Sequence, residues 1–174
     1  MKIRQATIAD VKDVAQLHSD SWQVSYKGHL NSDYLARKVP EERQIFWRER
    51  FDRPSHGQQI LVAEIDTTIV GFACVLLDKD PIWGSYLDNL HVSQNQQSKG
   101  IGKSLLTAVA EICTLKATSE SLCLLVTQFN TNAHRFYKRL GAVNQGESTW
   151  QAPDGTSVPT YLFTCKSLDA IKNG

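Results

Sequence analysis

Gln97-Ser98-Lys99-Gly100-Ile101-Gly102-Lys103-Ser104 puts two glycines, two lysines and two hydroxyls into one turn. An apolar run ending Leu90-His91-Val92 leads into it, and an amphipathic run starting at Ile101 leads out. The turn therefore joins a strand end to a helix start. Such a junction binds anions. The first-turn amides have no acceptor inside the helix, and the helix dipole adds partial positive charge. Gly100 and Gly102 let backbone come close to a phosphate and permit φ angles that a Cβ would penalise. The chemistry expected here is retention of a pyrophosphate.

Three phosphate-loop patterns compete for this string. The Walker A pattern finds its end in Gly102-Lys103-Ser104, but Gln97 stands where its first glycine must be. The dinucleotide pattern GxGxxG fails at Leu105. The pattern Q/R-x-x-G-x-G/A fits. A second segment, Asn130-Thr131-Asn132-Ala133-His134-Arg135-Phe136-Tyr137-Lys138-Arg139-Leu140-Gly141, reads as a capped helix with a glycine stop. Ala133, Phe136, Tyr137 and Leu140 share one face of it. An apolar strand, Leu122 to Thr127, lies between the two segments.

With both segments in this order the chain resembles the GNAT family (GCN5-related N-acetyltransferases). The specific likeness covers residues 88–142, and the order of elements is similar over nearly the whole chain. The resemblance implies acetyl-CoA as cosubstrate, with its pyrophosphate on Gln97, Ser98, Lys99, Gly100, Ile101, Gly102, Lys103 and Ser104. It implies that the backbone of Leu90, His91 and Val92 pairs with the pantetheine arm, and that Asn130 and Phe136 contact the cofactor. Tyr137 becomes the candidate acid for the leaving thiolate, since a phenol with pKa about 10 stays protonated at neutral pH. Read without the family, Phe136-Tyr137 is a core aromatic pair and Asn130 a helix cap.

Acyl transfer from a thioester to an amine needs a deprotonated amine, a donor for the developing oxyanion and a proton for the departing sulfur. The donor implied is a backbone N–H at or near Val92. His91 points to the opposite face from Leu90 and Val92 and reads as a sheet histidine rather than a catalytic one. The base is the weak point. Relatives carry a glutamate at the positions held here by Tyr86 or Leu125. Asp88 is the nearest carboxylate and the candidate base; an ion pair on the strand face is its other reading, and Tyr86, His91 or a water chain are alternatives. An acyl-CoA-binding sensor with little turnover therefore stays open beside the enzyme. On the acceptor side, Trp22 and Tyr26 share a helix face. With Tyr86 and Trp83 they are candidates for the acceptor wall, core packing being the alternative. The acceptor is a primary amine on a small molecule or a protein.

The bulk properties agree. A chain of 174 residues is one domain's worth, so residues 1–174 are expected to form a single domain. A net charge of +1 without a basic run argues against nucleic acid as partner. No apolar run approaches the ~20 residues of a membrane span, and MKIRQATIAD reads as strand and helix cap rather than a secretory leader. A cytoplasmic protein is expected, with a homodimer left open. Cys74, Cys113, Cys123 and Cys165 lie in apolar element interiors without CxxC or zinc spacing, so they read as buried reduced thiols and no metal is expected.

The elements that must position these residues alternate along the chain. Lys2 to Ala6 reads as a strand. Thr7 and Asp10 form a capping-box start, with Ile8, Val11, Val14, Ala15 and His18 at helical spacing. Glu41 to Phe51 predicts a helix burying Ile45, Phe46 and Phe51. Gln59–Ile65 and Ile69–Leu77 form a hairpin, Tyr86–Val92 a strand, Ile101–Leu115 a helix, and Glu147–Gln151 with Val158–Cys165 a closing hairpin. The fold class expected is α+β, a mixed and mostly antiparallel central sheet flanked by helices.

Overall fold

Along Ile60-Leu61-Val62-Ala63 successive side chains go to opposite faces, and both faces are buried. Ile60 and Val62 join one core with Phe72 and Cys74, while Leu61 and Ala63 join a second with Ala73 and Val75. Strands buried on both faces require helices on both faces. The computed structural model, which describes residues 1–173, shows this arrangement. Its elements are β1 (Lys2–Gln5), α1 (Val11–Ser25), α2 (Val39–Asp52), β2 (Gln58–Ile65), β3 (Thr68–Asp80), β4 (Gly84–Val92), α3 (Ile101–Lys116), β5 (Leu122–Thr127), α4 (Thr131–Arg139), β6 (Val143–Gln151), β7 (Ser157–Cys165) and α5 (Asp169–Asn173). The seven strands form one mixed sheet in the order β1-β2-β3-β4-β5-β7-β6. Residues of α1 and α2 pack on one face; α3, α4 and the segment from Leu168 pack on the other. A third cluster joins Trp22, Tyr34, Leu35 and Val39 to Ala152 and Val158 of the closing hairpin region.

Every neighbouring strand pair is antiparallel except β4 and β5, whose parallel pairing is limited to Ser85–Leu122 and Tyr86–Cys123. Beyond Tyr86, β4 continues on β3 as far as Val92, and β5 continues on β7 as far as Thr127. The sheet opens between them. β4 also carries a bulge: Leu87 pairs with Val75 and Asn89 with Cys74, leaving Asp88 as the extra residue.

Several expectations need correction. Ile8 is 51% exposed, because Ile8–Asp10 is a 3-10 turn ahead of α1. Ile45 is 52% exposed, and Phe46 and Phe51 are half-buried. The buried stripe of α2 is Val39, Arg43 and Trp47, a helical phase disguised by the arginine in its middle. The last hairpin begins at Val143, and α5 follows Cys165 without an earlier signal.

The entry to α1 is held by one carboxylate. Arg4 of β1 donates through Nη1 and Nη2 to both oxygens of Asp10, each at 2.8 Å, and through Nε to Glu64 of β2. Asp10 also accepts the Thr7 amide at 2.7 Å. The Arg4 hydrogen bonds lower the Asp10 pKa to about 2, against the opposing effect of burial. Asp10→Ala should cost about 1–2 kcal/mol, the range for a lost helix cap. Because the folded carboxylate is the more acidic, this stability is present above the ordinary carboxyl pKa of 3.8 and is lost as pH falls toward 2. Thermal melts should show a gap between wild type and variant at pH 7 that closes by about pH 2. A gap independent of pH would place the effect in packing instead.

Candidate active site

Gly100 sits at φ +82° as the N-cap of α3, and Ser98 precedes it at φ +62°. Two left-handed residues turn the chain so that the first amides of α3 face outward. No side chain caps them and no carboxylate stands in the first turn. The contrast is α4, where Asn130 Oδ1 accepts the Ala133 amide at 3.0 Å. A helix of 16 residues with an open, exposed N-terminus is poised for an anion. Gln97 turns back to donate from Nε2 to the Val92 carbonyl at 3.2 Å, tying the turn to the end of β4. An ideal Cβ on Gly102 would meet only Phe136 and Val92, at 3.8 Å. Gly102 thus marks where the end of β4, the start of α3 and α4 converge. A groove of about 800 Å³ also runs along α3 past Gly100, Lys103 and Ser104, lined by none of Tyr137, Tyr86 or Asp88.

Tyr137 is buried on the α3 side of the sheet, 5.0 Å in ring separation from Phe136. Burial raises its pKa, and the nearby Cys165 and Tyr86 add to the effect. Its hydroxyl is therefore held protonated. Tyr86 lies between the two halves of the site. Burial raises its pKa first, and then the charges of Asp88, Arg50 and Tyr26 all bear on it.

On the α1–α2 side, Asp88 Oδ2 accepts from Arg50 Nη1 at 2.5 Å and from Asn89 Nδ2 at 2.6 Å. Arg50 also reaches Cys74 Sγ at 3.4 Å. The bulge puts Asp88 into an ion pair, the other reading of this residue. Trp22 and Tyr26 pack ring on ring at 5.2 Å, and Trp150 of β6 closes on them at 5.4 and 5.6 Å. Phe129 adds a contact to Tyr26 at 5.9 Å. Among the described residues neither Trp83 nor Tyr86 makes a ring contact with this group, and only Tyr86 is tied to it, through the charge of Tyr26. Trp150, Phe129, Arg43 and Arg50 were not singled out from the sequence. Trp150 and Phe129 come from segments whose approach depends on tertiary folding, and Arg43 and Arg50 lie on α2, whose helical phase the arginine in its buried stripe disguises.

His91 does point away from Leu90 and Val92. Its ring stacks on Phe72 at 5.2 Å, lies 4.6 Å from His18, and its Nδ1 is 2.8 Å from Ser21 Oγ. Burial lowers its pKa to about 4. His18 accepts from Trp47 Nε1 at 2.9 Å and is held neutral by burial, with His91, Arg43 and Arg50 adding repulsion. All four cysteines are buried and free. Burial raises Cys74 to about 12 and Cys123 and Cys165 to about 11, so none is an available thiolate. Among the described residues no His, Cys, Asp and Glu group could hold a metal, and no helix is long and apolar enough to cross a membrane.

The acetyltransferase (GNAT) family matches residues 12–142. An uncharacterized N-acetyltransferase of Bacillus subtilis (strain 168), YuaI, is 27% identical over 112 residues; the match covers 63% of this chain and 62% of that protein. The PaiA N-acetyltransferase of Thermoplasma acidophilum, solved in complex with coenzyme A, superposes with a TM-score of 0.72 at 22% identity, covering 95% of this chain and 98% of that one. YncA of Salmonella typhimurium, solved with its cofactor acetyl-CoA, gives a TM-score of 0.68 at 18% identity over 95% and 93% of the two chains. At such identities the structural likeness is one of fold.

The buried imidazoles give the protein a pH signature. Both fold in the neutral form with depressed pKa, so their contribution is present above the ordinary value of 6.5 and is lost as pH falls toward about 4. Urea unfolding at pH 7, 6 and 5 should show stability falling by up to about 1.4 kcal/mol per pH unit for each imidazole. His91→Gln should flatten the slope. The same slope in that variant would mean that His91 protonates without unfolding.

Proposed function

The chain belongs to the acetyltransferase (GNAT) family, and from that premise we propose that it transfers an acetyl group from acetyl-CoA to a primary amine within a ternary complex. The observation that carries this reading is the uncapped, glycine-turned N-terminus of α3 beside a sheet that opens between β4 and β5. Residues Gln97 to Ser104 would hold the pyrophosphate. The free edge of β4 at Leu90, His91 and Val92 would bind the pantetheine arm, with Asn130 and Phe136 beside it. Acetyl-CoA supplies an activated acyl thioester. The protein's part is to hold the amine against it, which removes the entropy of encounter and contributes several kcal/mol on the order of.

Tyr137 gives its proton to the departing sulfur; its raised pKa keeps that proton in place until thiolate develops. A backbone N–H near Val92 faces the charge building on the acyl oxygen. Asp88 Oδ1 makes no hydrogen bond among the described residues and is the oxygen left to take a proton from the amine, directly or through water. Trp22, Tyr26 and Tyr86 form the wall on which the acceptor lies. The engagement of Asp88 Oδ2 by Arg50 favours the second reading, a CoA-binding sensor without turnover. We place the protein in the cytoplasm.

Acetyl-CoA or CoA should raise the melting temperature, and ATP and NAD should not. The Cβ of Gly102→Asp makes only ordinary van der Waals contact, its nearest neighbours lying at 3.8 Å. It places a negative charge at the phosphates and should abolish the CoA shift in a folded protein. An undiminished shift removes the cradle.

Tyr137→Phe keeps the ring and deletes the acid. Initial rates of thiol release across an amine panel should show kcat lowered by roughly 10- to 1000-fold with CoA affinity nearly intact. Wild-type turnover returns Tyr137 to a packing role. With labelled acetyl-CoA alone no acetyl group should stay on any cysteine, and rate plots should intersect. Tight CoA binding without thiol release from any amine would establish the sensor.

A further inference from the structure

Arg43 is 7% exposed, in the middle of the buried stripe of α2. Its guanidinium lies over the Trp22 ring at 4.4 Å and the Phe46 ring at 4.6 Å. Among the described residues it makes no hydrogen bond and no ion pair, and its Nε is buried without a partner. Arg50, two turns further along α2, lies over the same Phe46 ring at 4.5 Å but has Asp88 as its counter-ion. Two guanidiniums therefore flank one ring, and among the described residues only Arg50 has a carboxylate bonded to it; the charges of Tyr34, Glu42 and Asp88 act on Arg43 without a hydrogen bond or ion pair. Cation–π contacts return less than the desolvation of an unpaired guanidinium costs. Burial accordingly lowers the Arg43 pKa. A guanidinium held this way has no carboxylate bonded to it.

Arg43 borders the proposed acceptor wall. Trp22, which Arg43 covers, is the residue packed against Tyr26 and Trp150 on the acceptor side. The charges of Glu42 and Asp88 both bear on Arg43, neither through a hydrogen bond. The planar fork of arginine matches a carboxylate through two parallel hydrogen bonds.

We infer that Arg43 binds a carboxylate on the acceptor, so that the amine this site acetylates is an amino acid or a similar carboxylated amine rather than a polyamine. The inference rests on the acetyltransferase reading of the site. Arg43 holds the carboxylate, and Asp88 lies on the side where the cationic amine arrives. A polyamine would instead bring more positive charge to a cation that has no bonded counter-ion.

The test uses the full chain, acetyl-CoA and matched amine pairs: lysine and cadaverine, ornithine and putrescine, phenylalanine and phenethylamine. The carboxylated member of a pair should be favoured by about 10-fold or more in kcat/KM, the factor of one charge-assisted hydrogen bond. In Arg43→Met, which keeps an unbranched apolar stem against Trp22 and Phe46, that preference should collapse, mainly through KM. Ligand-free Arg43→Met should melt at or above wild type, because an unpaired charge has been removed. Arg43→Lys keeps the charge without the fork and should retain only part of the preference. Equal or better rates with the decarboxylated members overturn the inference while leaving the acetyltransferase standing, as does a preference that survives Arg43→Met. A lower melting temperature in Arg43→Met would make Arg43 a packing residue and also overturn it. If no amine releases thiol, the acetyltransferase reading fails by itself. Thermal shifts of the CoA-saturated protein then decide for Arg43: stabilisation by the carboxylated members alone, lost in Arg43→Met, supports it, and no stabilisation refutes it.

Discussion

Two residue pairs, Ser85–Leu122 and Tyr86–Cys123, are the whole of the parallel contact between β4 and β5. The opening beyond them depends on what each strand does on its other side. β4 stays bonded to β3 out to Val92, and β5 to β7 out to Thr127, so each has one satisfied edge and diverges without losing its sheet. The backbone groups on the free edge of β4 are then available to a ligand, since unpaired peptide groups need partners. α3 starts just past the end of β4, and no side chain caps its first amides. α4 follows β5 and returns Phe136 to the start of α3. Strand edge, helix terminus and returning aromatic all follow from one short parallel contact.

The two sides of the opening differ electrostatically. Toward α3 and α4 the phenol of Tyr137 is buried among apolar side chains and kept protonated. Toward α1 and α2 the site is crowded with charge: Arg43, Arg50 and Asp88, set among Trp22, Phe46 and Trp47. Tyr86 bridges the two, feeling Asp88 and Arg50 on one side and bearing on Tyr137 on the other. The proposed amine acylation draws on this asymmetry, with a neutral phenol on one side and charged groups on the other.

The glycine turn and open helix start proposed as the phosphate cradle are legible in the sequence because their physics is local. Gly100, Gly102 and the start of an amphipathic helix are neighbours in the chain, and orphan amides at a helix start require no tertiary context. The same holds for Asn130 and Gly141 around α4, and for the two-residue turn at Asp66 and Thr67, both at positive φ. The α1–α2 face was less legible. A charged residue in the middle of a helix is read as surface, so Arg43 hid the stripe Val39–Arg43–Trp47 and made Ile45 look buried. The bulge at Asp88 depends on pairing with β3, and alternation along β4 alone does not reveal it. Trp150 reaches Trp22 only because β7 inserts between β5 and β6, a topological fact with no local signature.

This division between local and nonlocal features has a consequence for recognition. The cradle is made by one contiguous turn, so it is fixed as soon as β4 and α3 form. The acceptor wall takes Trp22 and Tyr26 from α1 and its end, Arg43 from α2, Tyr86 and Asp88 from β4, and Trp150 from β6. No single element defines it. Substitutions there change shape and charge without touching the cradle, since no residue of Gln97 to Ser104 packs in the Trp22 cluster. The proposed cofactor and acceptor sites thus sit on separate parts of one sheet, joined only where β4 passes from Tyr86 to Val92. Arg43, with no carboxylate bonded to it, belongs wholly to the second part, so the role proposed for it concerns which amine is chosen rather than how the acyl group is carried.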